Sequence, residues 1–200
     1  MTQRFYSVLV TLLVCTLLFS ACTGKSPKAT FYSLEVLPVS SPPTLLSREI
    51  AIAVGPVTIP AELDRKQIVT RDTHSRVRLA EFHRWAGPLQ DSITAVLTAE
   101  LAALLGTDRV APRNRKDLFP FTHQVVFNIN RFDGRLSGDV LLDVTWSIKK
   151  TGISEPLIVR RSEIHEPVAN PDYAKVVAAQ SRALSKISSK IAAAIKELVQ

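Results

Sequence analysis

Regular alternation of apolar and polar residues constrains the fold of this chain more than any other sequence feature. The alternation runs through residues 123–132, 139–150 and 156–165. In the first run, apolar side chains occupy every second position from Val125 to Ile129. Successive side chains of a strand point to opposite faces, so each run is typical of a strand with one buried face. Turns at Gly134 and Gly152 separate the runs. The sequence therefore predicts an antiparallel meander with one buried face and one polar face.

Two predicted helices flank this meander. The first begins at Pro88 and ends near Leu105, where Gly106 favours termination. The second is opened by residues 170–172, which supply an N-cap, a proline and an acidic residue. Apolar residues recur at three- and four-residue spacing in both. The stripes are Leu89, Ile93, Val96, Leu97, Leu101, Leu104 and Leu105, then Tyr173, Val176, Val177, Leu184, Ile187, Ile191, Ile195 and Leu198.

Further strands are predicted ahead of the first helix. They cover residues 31–37, 50–55, 67–71 and 76–82. Pro56 and Pro60 lack a backbone donor, so the strand before them is expected to stop rather than run on in mid-sheet. Striped helices must bury their apolar side against a sheet. The predicted class is an α/β (α+β) sandwich, with a mixed sheet of about five to seven strands and two long helices packed on it.

The N-terminus carries a targeting signal. Residues 8–19 form an apolar run that is shorter than the about 20 residues needed to cross a bilayer, and it has the length of a signal-peptide core. Residues 19–22, Phe-Ser-Ala-Cys, resemble a bacterial lipobox, in which the sulfur of Cys22 receives diacylglycerol and the mature protein carries palmitate-type chains. A plain secretory signal cut after Ala21 is the alternative. The predicted organisation is a signal peptide at 1–21, a lipidated tether at 22–30 and one domain at 31–200.

Three motifs carry a resemblance to a known family. Residues 54–71 read VGPVTIPAELDRKQIVTR, residues 31–34 read FYSL and residues 84–89 read RWAGPL. Together they resemble the paraquat-inducible protein C family, the auxiliary lipoproteins of ABC-type and MCE-type envelope transport. The resemblance implies an outer-membrane lipoprotein on the periplasmic side. The resemblance implies as partners an MCE-domain protein and an inner-membrane permease with its ATPase, and it also implies a ring-like homo-oligomer.

The best candidate for partner contact is the charged corner in the motif at 54–71. Its polar residues and the arginine of the RWAGPL motif are the predicted partner-binding residues Asp64, Arg65, Gln67, Arg71 and Arg84. The alternative is that these charges only cap and solubilise a corner.

The sequence offers no basis for catalysis, a cofactor or a metal site. It contains no GxSxG elbow, phosphate-binding glycine loop, CxxC or HExxH motif. His123 and His165 are interpreted as ordinary surface histidines, since no companion has metal-ligand spacing. Residues 109–116 are predicted to form a basic loop that is either solvated or in contact with phosphate groups. The loop lacks the interleaved aromatic residues of a nucleic-acid surface.

Charge and family resemblance leave two hypotheses for function. The net charge of +7 fits an anionic membrane surface or an acidic partner. Lys175, Arg182, Lys186 and Lys190 form a basic face on the last helix, interpreted as either solvated or docking. The first hypothesis is a docking subunit of a lipid-transport assembly. The second is a free-standing carrier of lipid or another hydrophobic ligand, tethered by Cys22, which would need an enclosed apolar cavity.

Replacing Cys22 tests the lipid anchor. We expect Cys22→Ala to give a soluble or unprocessed form. Without the sulfur of Cys22 no diacylglycerol can be attached, and stable attachment to a membrane needs more than one acyl chain. Membrane fractionation measures this, with Ser26→Ala in the same tether as the control. A Cys22→Ala protein that fractionates with the outer membrane would contradict the assignment.

Overall fold

The computed structural model describes residues 27–39, 47, 49–73 and 75–199, together with Tyr6. The strands in this part are β1 (Thr30–Tyr32), β2 (Ile52–Thr58), β3 (Gln67–Arg71), β4 (Val77–Trp85), β5 (Val110–Pro112), β6 (His123–Gly134), β7 (Asp139–Lys150) and β8 (Ile158–Pro167). The long helices are α1 (Leu89–Leu105) and α2 (Tyr173–Val199). The predicted lipobox with Cys22 lies outside the described residues.

Strand β6 is central to the sheet. Along one edge it pairs with β7 in antiparallel register, and β7 pairs in the same way with β8. Along the other edge its first half pairs in parallel with β2, and Gly134 at its end pairs with Thr70 of β3. Strand β5 extends the sheet beyond β2, and β4 and β1 extend it beyond β3. This mixed sheet confirms the predicted α+β class and the meander.

Strand β2 continues through Pro56, so the expectation that proline would stop it was wrong. The register with β6 shifts between Val54 and Val57, which leaves one extra residue on β2. The extra residue of such a bulge has no hydrogen-bonding partner in the ladder. The strand can therefore pass through a proline, which has no backbone N–H to donate. Gly55 has a φ of 103°, a conformation that residues with a side chain rarely adopt.

Two short strands account for the other differences from the predicted sheet. Strand β1 is shorter than the predicted run at 31–37, and β5 lies inside the predicted basic loop at 109–116. With β5 added, the described residues form an eight-stranded sheet, one strand more than the predicted range of five to seven. A strand of three residues is too short to show an alternating pattern in the sequence. Strand β5 is therefore recognisable only from its parallel pairing with β2.

The two helices cover the apolar side of the sheet, as predicted. Helix α1 packs against β2 and β5, helix α2 packs against β7 and β8, and the helices pack against each other. Gly106 ends α1 in the left-handed conformation with a φ of 60°. The stripe of α2 is buried as far as Ile195, whereas Leu198 in the last turn is exposed. Asp172, rather than Asn170, caps α2, because its Oδ1 accepts a hydrogen bond from Ala174 N at 3.0 Å.

A buried polar contact joins the N-terminal segment to both helices. After β1 the chain leaves the sheet, and the backbone N–H of Glu35 donates to Ser181 Oγ of α2 at 3.1 Å. Glu100 of α1 is buried, and its carboxylate accepts from Ser188 Oγ of α2 at 2.7 Å and from Leu37 N at 3.4 Å. Burial raises the pKa of Glu100, and these hydrogen bonds only partly oppose that effect.

Glu100 is expected to make stability depend on pH. Its pKa is higher in the folded state, so the unfolded chain loses this proton first as pH rises. Its contribution to stability therefore falls with increasing pH, from the ordinary pKa of glutamate upward. Glu100→Gln should remove this slope and raise the melting temperature near neutral pH. Melting curves of both proteins between pH 4 and 8 measure the effect, with Glu62→Gln at an exposed position as the control. An unchanged slope in Glu100→Gln would contradict this account.

Candidate docking surface

Residues 59–66 form a tight charged corner after β2. Leu63 N donates to Pro60 O at 2.9 Å, and Arg65 N donates to Leu63 O at 2.9 Å. The side chain of Leu63 is buried and fixes the corner on the core. Asp64 and Arg65 point into solvent, as do the neighbouring Glu62 and Lys66. The corner therefore displays charges on a turn with a fixed backbone.

The corner is joined to β4, which places the predicted site residues Gln67 and Arg84 beside it. Trp85 N donates to Lys66 O at 2.7 Å, and Gln67 lies opposite Arg84 in the β3–β4 pair. Arg84 is half-buried, and its guanidinium donates to the carbonyl and the carboxylate of Glu81 at 3.0 and 3.2 Å. Trp85 itself is buried, consistent with the packing role that its position indicates. Gln67 and Arg84 thus border the exposed corner residues.

Arg71 lies apart from the corner, at the far end of β3. Its Nε and a terminal nitrogen donate to Asp133 Oδ2 at 2.9 and 2.6 Å, and the side chain is only 14% exposed. Arg131 binds the other oxygen of Asp133 at 2.9 Å, so two arginines neutralise one buried carboxylate. The expectation that Arg71 is a displayed corner charge was wrong. Arg71 lies on the same strand as Gln67, but the side chain of Arg71 is held by its ion pair with buried Asp133.

The outer edge of β4 carries an apolar surface that sequence reasoning missed. Val77, Leu79 and Phe82 are each about 40% exposed. Strand β1 pairs only with the last three residues of β4, so residues 77–82 have no strand on their outer side in the described part of the chain. The alternation of residues 76–82 indicated a strand but not its place at an edge, which is decided by pairing. We call residues 77–82 the β4 edge.

An open groove of about 630 Å³ lies between α1, the β2 bulge and residues 112–116. One wall carries Arg113, Arg115 and Lys116, and the other carries Asp91 of α1. Arg115 forms an ion pair with Asp117 at 3.2 Å. The groove is mostly cationic at its rim and could accept an anionic group, but it is too open to enclose an apolar ligand.

The remaining charged candidates are engaged within the domain. His123 is buried rather than a surface histidine, and burial, followed by the charge of Lys150, lowers its pKa. It is the first residue of β6, where β2 and β7 cover it on both sides. His165 is exposed and contacts Asp139 Oδ2 at 2.6 Å. No three potential metal ligands cluster among the residues that the structure describes.

The basic face of α2 is partly neutralised by β8. Arg182 and Lys186 bind the buried carboxylate of Glu166 at 2.8 and 2.6 Å. Burial alone would raise the pKa of Glu166, but the hydrogen bonds from Lys186 and Arg182 hold it below its usual value. Two of the four basic residues are therefore structural, and the face is weaker as a docking site than helical spacing indicated.

A family model for the ABC-type transport auxiliary lipoprotein component matches residues 32–192. The chain belongs to this family. The family indicated by the three motifs is thereby confirmed, and it is one of transport auxiliary proteins rather than enzymes. Membership in a lipoprotein family also implies attachment to a membrane. In the described residues, no helix has the length and apolarity to cross one.

Solved structures share the fold of this family member. A crystal structure of an uncharacterized protein is 20% identical, with a TM-score of 0.69 over 84% of this chain and 99% of that one. A protein from Xanthomonas campestris is 17% identical, with a TM-score of 0.68 over 82% and 93% of the two chains. At these identities the likeness concerns the fold alone. No curated protein matches the sequence.

Charge reversal should separate the structural arginine from the displayed one. Arg71→Glu would place a second carboxylate against buried Asp133, so we expect an early-melting or unfolded protein, with a loss of about 3 kcal/mol or more. Arg65→Glu should change stability by no more than about 0.5 kcal/mol, because its side chain is solvated. Urea unfolding measures both. Equal stability of the two variants would contradict the assignment of Arg71 to the buried ion pair.

Proposed function

We propose that this lipoprotein is an outer-membrane-anchored, periplasmic subunit of an MCE-type ABC transport system that moves lipid between membranes. It acts by docking to the other subunits rather than by carrying the lipid. The observation that carries this proposal is the exposed apolar β4 edge beside the charged corner at 59–66. An anchored auxiliary subunit needs such a surface to bind its partners.

The β4 edge has the properties of a strand-addition site. An unpaired strand edge presents backbone N–H and C=O groups that an extended segment of another chain can bind. Exposed Val77, Leu79 and Phe82 add apolar area, and beyond Phe82 the strand reaches Arg84, which lies opposite Gln67 beside the charged corner. Arg78 is paired with Asp72 at 2.9 Å, so part of the charge near this edge is already neutralised. We assign partner contact to this edge together with Asp64, Arg65, Gln67 and Arg84.

The filled interior favours docking over carriage of ligand. The space between the helices and the sheet is occupied by fully buried side chains, among them Trp146, Phe127 and Leu97. A close-packed interior of this kind leaves no room for a lipid chain. Two pockets, one beside α1 and one between β8 and α2, are open at the surface.

Sequence features support the proposed location and partners. Cys22 stands in a lipobox, and Thr23 occupies the position where an inner-membrane retention signal would place aspartate. The partners that the family resemblance implies are an MCE-domain protein and a permease with its ATPase. Homo-oligomerisation is part of the same proposal.

Co-purification with the MCE-domain partner tests the docking surface. Leu79→Ser combined with Phe82→Ser removes apolar area from the β4 edge, and Arg65→Glu reverses a corner charge. We expect each change to lower recovery of the partner at least tenfold in a protein that still folds cooperatively, since the exposed part of these groups is buried only in the complex. Val159→Ser, at an exposed apolar position of the opposite edge strand β8, is the matched control.

The outcomes discriminate between the docking and carrier hypotheses. Recovery that is unchanged in both β4-edge and corner variants would contradict docking at this surface. Lipid that stays bound to the protein purified without its partner would instead favour the carrier, and mass spectrometry of the purified protein detects it.

A further inference from the structure

Strand β8 is an edge strand of the sheet. It pairs with β7 from Ile158 to Pro167 without a shift of register, and its outer side pairs with no strand in the described part of the chain. The pairing of β4 with β3 is irregular, whereas β8 stays regular over its whole length. The domain therefore presents a long, regular strand edge, which can pair with a strand of another chain.

The pairing with β7 determines which backbone groups of β8 face outward. Val168 N donates to Gly138 O at 2.8 Å, and these two residues continue the β7–β8 register by one position. Residues of an antiparallel pair alternate between hydrogen-bonded and non-hydrogen-bonded positions, so the even-numbered residues of β8 bond to β7. Residues 159, 161, 163 and 165 thus direct their N–H and C=O groups away from β7. Pro167, the next outward position, has no N–H and ends the run.

These four outward residues match a second copy of the same strand. When two β8 strands pair in antiparallel register with two-fold symmetry, residue 159 can lie opposite residue 165 of the second copy, and 161 opposite 163. This register uses every outward N–H and C=O group of the four residues, and Ser162 lies on the two-fold axis. A slide by one residue would set outward groups against inward ones, because the period of a strand is two.

The charged side chains of this edge are complementary in that register. Arg161 and Glu163 are exposed, and Arg161 of each copy would lie opposite Glu163 of the other. Sliding the strands by two residues would instead place Arg161 or Glu163 opposite its own copy, and like charges directly opposite each other are destabilising. Charges on an edge strand ordinarily oppose association. Here their order along the strand favours one antiparallel register.

Helix α2 leaves room for a second copy beside β8. The groove between α2 and β8 is open, with a volume of about 400 Å³, and the helix lines it with the small side chains of Ser185 and Ser189. Of the lysines on this flank, Lys186 binds buried Glu166, and Lys190 is exposed to solvent. The helix therefore does not cover the outer edge of the strand.

We propose that two copies of this protein associate through β8, with antiparallel pairing centred on Ser162. The contact is isologous and closes at a dimer, whereas a ring needs heterologous contacts. It assigns a surface to the self-association in the proposed function, but it depends neither on the transport partner nor on the β4 edge. The two-fold axis between antiparallel strands is perpendicular to the sheet, so both tethers lie at the same height above a membrane parallel to the sheet.

Disulfide trapping tests this register. With Cys15 removed in the signal peptide and Cys22 acylated, the processed lipoprotein has no free thiol. Val159→Cys and His165→Cys variants are purified separately in detergent, mixed and mildly oxidised. In the dimer, the Cα atoms of residue 159 and residue 165 of the second copy would be about 5.5 Å apart, a distance that a disulfide bridges. We expect at least fivefold more covalent dimer in the mixture than in either variant alone.

Each cysteine variant alone is the control. In the proposed register, residue 159 and its own copy are about 20 Å apart along the strands, and so are the two copies of residue 165. Neither variant can therefore form the disulfide with itself inside the dimer, and covalent dimer in a single variant measures chance collision.

Substitution at residue 163 provides the second arm of the test. Glu163→Pro removes an outward N–H but no hydrogen bond to β7, whereas Glu163→Thr keeps that N–H and is the matched control. Glu163→Arg sets like charges opposite each other in the dimer and does not require the strand to accept proline. Sedimentation in detergent measures association. We expect it to be at least tenfold weaker for Glu163→Pro and Glu163→Arg, and within threefold of the parent for Glu163→Thr.

Three results would overturn the proposal. The first is a mixture of the cysteine variants that gives no more covalent dimer than each variant alone. The second is self-association that persists unchanged in both Glu163→Pro and Glu163→Arg, because the copies would then meet through another surface. The third is a parent protein that sediments as a monomer at the concentrations of the trapping test. Shielding of a dye at residue 159 by added MCE-domain protein would then identify β8 as a partner site.

This test is independent of the docking experiment. It contains no transport partner, so loss of co-purification in the β4-edge variants does not affect its outcome. The Val159→Ser control of that experiment keeps both outward backbone groups of residue 159 and should leave self-association through β8 intact.

Discussion

Hydrogen bonding along β6 holds the two parts of the sheet together. Strand β7 pairs along the whole of one edge, whereas β2 and β3 share the other edge. Strands β5, β4 and β1 reach the rest of the sheet only through β2 or β3. The packing of both helices follows from this arrangement, since α1 lies on β2 and β5 and α2 lies on β7 and β8. Loss of β6 would therefore separate the surfaces that the helices bury.

Buried polar groups fix how these elements meet. At the end of β6, Asp133 binds Arg71 of β3, and Gln180 of α2 donates to Phe132 O at 3.0 Å. Between the helices, Glu100 accepts from Ser188. Apolar contacts alone tolerate many arrangements, whereas a buried polar group is stable only where its particular partners are in reach. These contacts select one arrangement of strands and helices from those that the apolar stripes allow.

The proposed docking edge is supported from within the sheet. Strand β4 pairs with β3, and β3 meets the second half of β6. A lipid-anchored subunit must hold a defined orientation to present a docking edge to a partner, and the pairing of β4 with β3 fixes how this edge stands relative to the rest of the domain.

Local periodicity in the sequence was sufficient to predict much of this structure. Alternation in residues 123–165 and the apolar stripes of the helices predicted the meander, both helices and the α+β class, because these signals extend over ten or more residues. The family was also readable, from motifs whose order along the chain needs no coordinates. Long-range pairing decided the rest. The parallel strand β5, the passage of β2 through Pro56 and the open edge of β4 depend on which strands become neighbours. Arg71 was misplaced for the same reason: its partner Asp133 is distant in sequence, and only the meeting of β3 with the end of β6 buries that carboxylate beside it.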